Sequence, residues 1–443
     1  MTTRSEEIQK RRIFGIISHP DAGKTTLTEK LLLHGGAIRE AGTVKARRNS
    51  KFATSDWMEI EKQRGISVTS SVMQFAYAGK VISIMDTPGH NDFGEDTYRI
   101  LTSVDSAVMV IDGAKGIEAQ TKKLFKVCSM RGIPIFTFIN KLDRETKEPF
   151  DLVQELEDVL GLPSVPVSWP IGNGMNFEGI YDLLKNEVHL YKSGKQTKTL
   201  TLGPDGVFGP ELENEIAGYN LSALRDEIEL IQGAGNEFDM ELVSKGKLSP
   251  VFFGSALADF GTIPFLEHFL DMSPAPGPRK TTTKEPLFFE PLPTFPPELF
   301  ALVTPKDTMK AKQFQKGVAQ LAQEGAIQVY RNQYNEVVIG AVGQLQFEVF
   351  EYRLKNEYNA QVRMDRLDFS TARWVQIDAD PSSRDYVAAL EKIKDVLDSR
   401  TMLVFDHFER PIILFANQFT LQYFCEKHKD IKLVEALDVQ NQY

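Results

Sequence analysis

Short apolar runs separated by helical and turn segments dominate the first part of the chain. Four of these runs are long enough for buried strands, at residues 13–17, 81–85, 134–139 and 250–253. Apolar strands that alternate with helices are typical of βαβ units, in which helices cover a mostly parallel sheet on both faces. The pattern therefore predicts an α/β domain whose strands end at one edge of the sheet, where ligands usually bind.

A different pattern follows residue 297. Apolar runs and amphipathic helical stretches alternate at 299–303, 309–324, 326–330, 337–341, 343–356 and 360–364. The order strand, helix, strand, strand, helix, strand is typical of a ferredoxin-like layer. We therefore predict an α+β region at 298–443 with a ferredoxin-like part at 298–365, whereas the pattern assigns no role to residues 375–443.

The turn after the first apolar run has a composition that suits phosphate binding. It reads Ser18, His19, Pro20, Asp21, Ala22, Gly23, Lys24, Thr25 and Thr26. Backbone N–H groups of such a loop and the positive end of the next helix can surround a β-phosphate, and Lys24 can bridge the β- and γ-phosphates. The Thr25 hydroxyl can bind Mg²⁺. The loop predicts nucleotide binding, although Ser18 stands where the commonest form of this motif has glycine.

The other three strand ends carry residues that would complete a guanine-nucleotide site. They are followed by Asp86, Thr87, Pro88, Gly89 and His90, by Asn140, Lys141, Leu142 and Asp143, and by Gly254, Ser255, Ala256 and Leu257. Asp86 can hold Mg²⁺ through a water, and Gly89 lets an amide approach the γ-phosphate. Asp143 can accept two N–H donors from guanine that adenine does not present in that pattern.

We expect Asn140 and Lys141 to support the phosphate loop and cover the base, and a backbone N–H near Ser255 to reach the guanine O6. Each motif alone also suits an ordinary turn or a solvated loop. Four motifs at four strand ends, in one order along the chain, favour GTP binding over an adenine-nucleotide enzyme.

Together these motifs resemble the translational GTPase family. Arg64-Gly65-Ile66-Ser67 resembles the effector loop of that family, and His90 stands where small signalling GTPases have glutamine. The resemblance covers about residues 10–375. It implies a P-loop GTPase domain at 1–275 that binds GTP or GDP with Mg²⁺, with Ser67 as a further metal ligand and a monovalent cation at Asp21. It also implies that His90 is the catalytic residue, which orients the attacking water.

Within the family, segments 19–26 and 55–67 are most similar to the release-factor branch. This similarity implies a ribosome-dependent GTPase of translation termination, which promotes dissociation of codon-reading release factors after peptide release. The protein is expected to be a monomer. One alternative is an elongation-type or ribosome-protection GTPase, although only 69 residues follow Trp374, too few for both of its extra domains. Another is a GTP-gated binding protein with negligible turnover.

Two features of the domain order are unusual. From Asn140 to Ser255 is 115 positions, which predicts an inserted subdomain at about 165–245. The family also carries a β-barrel after the GTPase domain, whereas only a linker at 276–297 is available here. Either the barrel is lost, or the sequence joins segments that are not contiguous in the complete protein. The second explanation is favoured because 287–289 resembles the start of a barrel, and 364–367 is a candidate for another join.

Composition restricts the environment and the partners. The chain has 443 residues, of which 42% are hydrophobic and 25% charged, as in soluble proteins with several domains. Two distant cysteines, Cys128 and Cys425, predict a reducing, cytoplasmic location. No apolar run reaches the roughly 20 residues that span a bilayer, so no membrane contact is expected. A net charge of −10 argues against general, non-specific nucleic-acid binding, and no DNA partner is expected. Ribosome contact would need local basic surface, for which 45–51 is the best cluster.

Overall fold

The computed structural model of the protein describes residues 4–38, 71–87, 94–192, 195–277, 296–380 and 382–434. These residues form two compact units, one built mainly within 4–277 and one within 296–434. The effector-loop segment with Ser67, the basic cluster at 45–51, and Pro88, Gly89 and His90 lie outside the described residues.

A seven-stranded sheet forms the centre of the first unit. In chain order the main elements of this unit are α1 (Arg4–Gln9), β1 (Arg11–Ser18), α2 (Lys24–His34), β2 (Ser71–Tyr77), β3 (Lys80–Asp86), α3 (Gly94–Leu101), β4 (Ser106–Asp112), α4 (Ala119–Met130), β5 (Ile135–Asn140), α5 (Pro149–Leu160), β6 (Ser164–Pro166), β7 (Ser168–Ile171), β8 (Gly179–Asp182), β9 (Glu187–Lys192), β10 (Lys195–Thr201), α6 (Gly218–Ala234), α7 (Met240–Ser244), β11 (Ser249–Phe253) and α8 (Thr262–Met272). The sheet order is β2-β3-β1-β4-β5-β11-β6, and only the β2–β3 pair is antiparallel. The prediction of an α/β fold with a mostly parallel sheet is confirmed.

Alternating side chains of β1 supply two cores, one on each face of the sheet. Phe14 and Ile16 pack in a cluster with Leu27 of α2, whereas Ile17 belongs to the opposite cluster with Leu124 of α4. All four of the residues at 14, 16, 17 and 27 are completely buried. This alternation is what the pleat of a strand requires when helices cover both faces of a sheet.

The long segment between β5 and β11 contains a small antiparallel sheet of order β10-β9-β8-β7. Its apolar residues, including Trp169 and Val188, belong to the same core as β4, so the insertion packs directly on the seven-stranded sheet. Within the insertion, Pro210–Leu212 forms a 3-10 turn, and α6 begins only at Gly218. The Glu211 carboxylate accepts a hydrogen bond from Gly203 N at 3.2 Å, which holds this segment as a turn.

The second unit is an eight-stranded antiparallel sheet made of two modules. The elements of the first are β12 (Leu299–Pro305), α9 (Ala311–Gln323), β13 (Gln328–Asn332), β14 (Val337–Ala341), α10 (Gln344–Glu357) and β15 (Val362–Leu367), and those of the second are β16 (Thr371–Gln376), α11 (Arg384–Val396), β17 (Thr401–Phe405), β18 (Pro411–Phe415), α12 (Gln418–Lys427) and β19 (Lys432–Val434). The strand order is β15-β12-β14-β13-β17-β18-β16-β19. When the strands of each module are numbered along the chain, they lie side by side in the order fourth, first, third, second. This is the strand order of a ferredoxin-like fold.

The first module has the element order predicted for 298–365, and a second module, which the sequence analysis did not predict, occupies most of the remaining chain. Strand β15 runs without interruption through 364–367 and pairs along its length with β12, so the described backbone shows no break at the suggested join.

Candidate guanine-nucleotide site

The polar residues that follow the strands of the first unit meet at one edge of its sheet. Asp86 at the end of β3 is level with Ile16 of β1, and Asp112 at the end of β4 is level with Asn140 at the end of β5. Phe253, at the end of β11, is level with Ile139. Parallel pairing and register therefore bring four of the predicted segments together, as expected for the ligand-binding edge of an α/β sheet.

The phosphate loop turns sharply from β1 into α2, which begins at Lys24. Asp21 and Gly23 have φ angles of 65° and 100°, in the left-handed region. A Cβ atom at Gly23 would lie 2.2 Å from Nδ2 of Asn140, so only glycine fits where the loop passes this amide. The same Nδ2 donates a hydrogen bond to the Ala22 carbonyl at 2.9 Å. Asn140, from the segment predicted to bind the guanine base, thus holds the phosphate loop directly.

A buried ion pair joins the predicted phosphate and metal ligands. Lys24 Nζ contacts Asp86 Oδ1, and both side chains are almost fully buried. The other carboxylate oxygen, Oδ2 of Asp86, is buried and has no hydrogen-bond partner among the described residues. A buried oxygen that the protein leaves unsatisfied suits a hydrated cation, so Asp86 and the buried Thr25 in the first turn of α2 fit Mg²⁺. Thr87 donates to the Ile16 carbonyl at 2.6 Å and anchors the segment that follows.

The base side of the site is arranged around Asn140. Its Oδ1 accepts hydrogen bonds from the backbone N of Lys141 at 2.8 Å and of Ala256 at 2.9 Å. Ser255 Oγ donates to Oδ1 of Asp143 at 2.5 Å, and Asp143 is exposed. The carboxylate that was predicted to bind guanine is therefore oriented by the loop that was predicted to approach the guanine O6.

Asp112 is a site residue that the sequence analysis missed. Lys141 Nζ contacts the Asp21 carbonyl and lies 2.6 Å from Oδ2 of Asp112, which holds the lysine across the phosphate loop. Burial raises the pKa of Asp112, but hydrogen bonds from Lys141 and from Ala114 N outweigh it and keep the pKa below its ordinary value. Asp112 ends the apolar strand β4, which lies between β1 and β5 in the sheet. Because the ends of the neighbouring strands already had predicted roles, this carboxylate was a usable signal for a further site residue.

The remaining predicted residues differ in their surroundings. His19 Nε2 is 3.4 Å from Glu118 Oε1, at the start of α4, a contact without a signal in the sequence. Leu142 is buried and its N donates to the Gly254 carbonyl at 3.2 Å, whereas the Leu257 side chain is 66% exposed. Pro20 and Thr26 are half-buried within the loop and the helix.

Among the described residues, no helix is long and apolar enough to cross a membrane.

Comparisons with known families agree with this architecture. The family model for the elongation factor Tu GTP binding domain matches residues 9–275, and that for the class II release factor RF3, C-terminal domain, matches residues 289–425. A crystal structure of a protein from Thermus thermophilus has the same fold, with a TM-score of 0.63 and 17% identity, over 84% of this chain and 71% of that one. The chain is a translational GTPase.

Curated relatives give the finer assignment. Peptide chain release factor 3 of Lactobacillus helveticus is 45% identical over 98% of this chain and 99% of its own length, and that of Streptococcus mutans is 46% identical over 98% and 99%. The chain belongs to the peptide chain release factor 3 family, whose members are translational GTPases of termination.

The relatives are longer within the matched span. The match to the Lactobacillus protein extends over 531 residues, whereas this chain has 443, so at least 88 positions of the match contain no residue of this chain (531 minus 443). The two family models leave residues 276–288 unmatched between them. The family resemblance implies a β-barrel at this place, and the barrel itself stays a prediction.

Proposed function

We propose that the chain hydrolyses GTP when it is bound to the ribosome and thereby promotes the departure of codon-reading release factors after peptide release. The observation that carries this proposal is the position of Asn140, whose amide joins the phosphate loop at Ala22 to the loop after β11 at Ala256. A single side chain that ties both halves of a nucleotide site, beside an exposed Asp143, supports GTP and GDP as ligands.

In the proposed binding step, backbone N–H groups between Asp21 and Thr25 surround the phosphates, and Lys24 moves from Asp86 to the β- and γ-phosphates. Thr25 and Asp86, the latter through a water, would hold Mg²⁺, with Ser67 as a further ligand. When bound, the metal neutralises charge on the transferring phosphate. Asp143 accepts the two guanine donors, while Lys141, held by Asp112, covers the base.

The hydrolysis step rests on the resemblance, because its residues lie outside the described ranges. His90 would orient the attacking water, and the ribosome would supply the contacts that order it. The γ-phosphate would select one of two conformations of the segments around Ser67 and Gly89, and its loss would release both. We therefore expect slow turnover by the isolated protein and a partner-dependent increase of about 10³ to 10⁵-fold, as in other GTPases.

The remaining proposals concern ligands, partners and location. We expect a monovalent cation beside Asp21, whose side chain is exposed next to the phosphate loop. Ribosomal RNA and proteins and the codon-reading release factors are the proposed partners of a cytoplasmic monomer. The C-terminal family model over 289–425 favours this termination role over the elongation-type alternative.

A displacement assay tests the proposal. Ribosomes that carry labelled release factor on a stop codon are mixed with this protein and GTP, and the loss of label is followed over time. We expect GTP to accelerate the loss and GDP not to do so, with the release factor 3 of Streptococcus mutans measured in parallel as a control. Accelerated translocation without release-factor loss would contradict the proposal.

A further inference from the structure

The loop that carries Ser255 is closed by its own backbone and anchored at its tip. We call residues 254–261 the base loop. Ser255 and Phe260 exchange two backbone hydrogen bonds of 3.0 and 3.1 Å, and Ser255 Oγ accepts one from Ala258 N at 3.1 Å while it donates to Asp143. Displacement of the tip of this loop is therefore transmitted to the hydroxyl that orients Asp143.

Asp259 at the tip makes three side-chain contacts. Its Oδ1 lies 2.9 Å from Nε2 of His34 and accepts a hydrogen bond from Thr262 Oγ1 at 2.8 Å, and its Oδ2 lies 3.3 Å from Nζ of Lys30. Burial opposes the charge on Asp259, but hydrogen bonds from His34 and Thr262 and the charges of His34 and Lys30 hold its pKa at about 2. The carboxylate is thus ionised and surrounded by donors. We call Asp259, together with Lys30, His34 and Thr262, the base-loop latch.

The latch joins the base loop to the far end of the helix that holds the phosphates. Lys30 and His34 lie in the second half of α2, whose first residue is Lys24. Cations at the carboxyl end of a helix are stabilised by its dipole, so this end suits donors to a carboxylate. Asn140 ties the near end of α2 to the base loop and Asp259 ties the far end, which fixes the loop at two points.

We propose that Asp259 is a positioning residue for guanine recognition, which acts through the base loop on Ser255 and Asp143 and sets how long a guanine nucleotide stays bound. The inference rests on the proposed function, since it takes Asp143 as the guanine-binding group. Asp259 itself touches no part of the nucleotide in this account.

The test measures the dissociation of a fluorescent GDP from the full chain by stopped flow. Asp259→Asn is the informative variant, because Asp259 has a φ of 61° and asparagine tolerates this left-handed conformation, so that only the charge is removed. We expect about ten-fold faster dissociation from Asp259→Asn and a smaller increase from Lys30→Met and from His34→Gln. Glu241→Gln, which breaks an exposed ion pair with Lys245 elsewhere in the same unit, is the matched control and should dissociate as the wild type does.

A second readout separates positioning from general loosening of the fold. Inosine diphosphate lacks the exocyclic amine of guanine and offers Asp143 one donor instead of two. If Asp259 acts through Asp143, Asp259→Asn should lower the ratio of GDP to inosine diphosphate affinity, and it should add little in an Asp143→Asn background.

Three outcomes are decisive. A wild-type protein that binds no guanine nucleotide rejects the proposed function itself, whatever the variants do. Wild-type binding with unchanged dissociation in Asp259→Asn overturns the inference alone. Equal weakening of both nucleotides, together with a lower midpoint of thermal unfolding, assigns Asp259 to fold stability and also overturns it.

Discussion

The two units use their sheets in opposite ways. In the first unit, parallel neighbours bring successive strand ends to one edge, so that Asp86, Asp112 and Asn140 come together although they are far apart in sequence. In the second unit every neighbouring pair is antiparallel, and β12 ends at Pro305 beside the beginning of β15 at Val362. Its strand ends therefore alternate between the two edges. Topology explains why the predicted chemistry lies in the first unit and why the second unit shows mainly packing.

The largest expected effect tests the packing role of the second unit. Phe415 is completely buried in the core beneath α11 and α12, where its ring packs edge-on against Phe424 at 5.4 Å. Phe415→Ala should lower the free energy of unfolding of this unit by about 4 kcal/mol, through lost burial and the cavity left behind. Denaturant titration followed by circular dichroism measures the loss. GTP affinity, measured by calorimetry under native conditions, should stay at the wild-type value. A parallel loss of affinity would contradict the assignment of packing to the second unit and of nucleotide binding to the first.

A complementary change tests the chemical role of the first unit. Lys24→Ala removes the phosphate-bridging ammonium and leaves buried Asp86 without its ion-pair partner. We expect GTP affinity to fall by about 10²-fold, which corresponds to about 2.7 kcal/mol. Titration calorimetry measures the change, with Lys245→Ala as the control at an exposed lysine. Equal affinities for the wild type and Lys24→Ala would show that the ion pair at this edge is only structural.

A smaller effect concerns the insertion, which shares a core with the first unit. Asp182 at the end of β8 accepts a hydrogen bond from Nε2 of His268 in α8 at 2.6 Å, and both side chains are buried. Asp182→Asn should cost about 2 kcal/mol of unfolding free energy, because a charged hydrogen-bond partner is lost. Glu267→Gln, which breaks a neighbouring exposed pair with Lys185, should cost far less.

The Asp182–His268 pair also predicts how stability depends on pH. Burial raises the pKa of Asp182, but the hydrogen bond and charge of His268 outweigh it and lower the pKa below the ordinary value of 3.8. A group with a depressed pKa in the folded state contributes stability above its unfolded pKa, and that contribution is lost as the pH falls through the folded value. The difference in unfolding free energy between wild type and Asp182→Asn should therefore shrink on acidification below about pH 4. A constant difference down to about pH 2 would contradict this account.

The comparison also explains what could be predicted from the sequence. Apolar runs followed by Asp86, Asn140 and Ser255 each combined a buried strand with a polar end, so both the sheet and its ligand edge were predictable. The second ferredoxin-like module carried no such chemistry, although its signals existed: Ser383 and Asn417 cap α11 and α12, and two apolar runs lie between the helices. Because no functional motif marked their ends, these short strands and helices could not be distinguished from turns in the sequence.

Other parts of the site depend on contacts that sequence spacing does not encode. Lys30 and Asp259 are far apart in the chain, and only the packing of α2 beside the base loop brings them within 3.3 Å. The contact of His19 with Glu118 likewise depends on how α4 packs against β1. Long-range side-chain pairs of this kind follow from the fold and not from local periodicity.

The most direct test of the account is the base preference of Asp143→Asn. The account places Asp143, oriented by Ser255 Oγ at 2.5 Å, opposite the two N–H donors of guanine. Xanthine presents a carbonyl in place of the exocyclic amine, to which an asparagine amide can donate. Affinities of wild type and variant for GTP and xanthosine triphosphate are measured side by side. We predict that the variant loses about 10²-fold in GTP affinity and gains affinity for xanthosine triphosphate, whereas an unchanged preference for GTP would contradict the assignment of the guanine site.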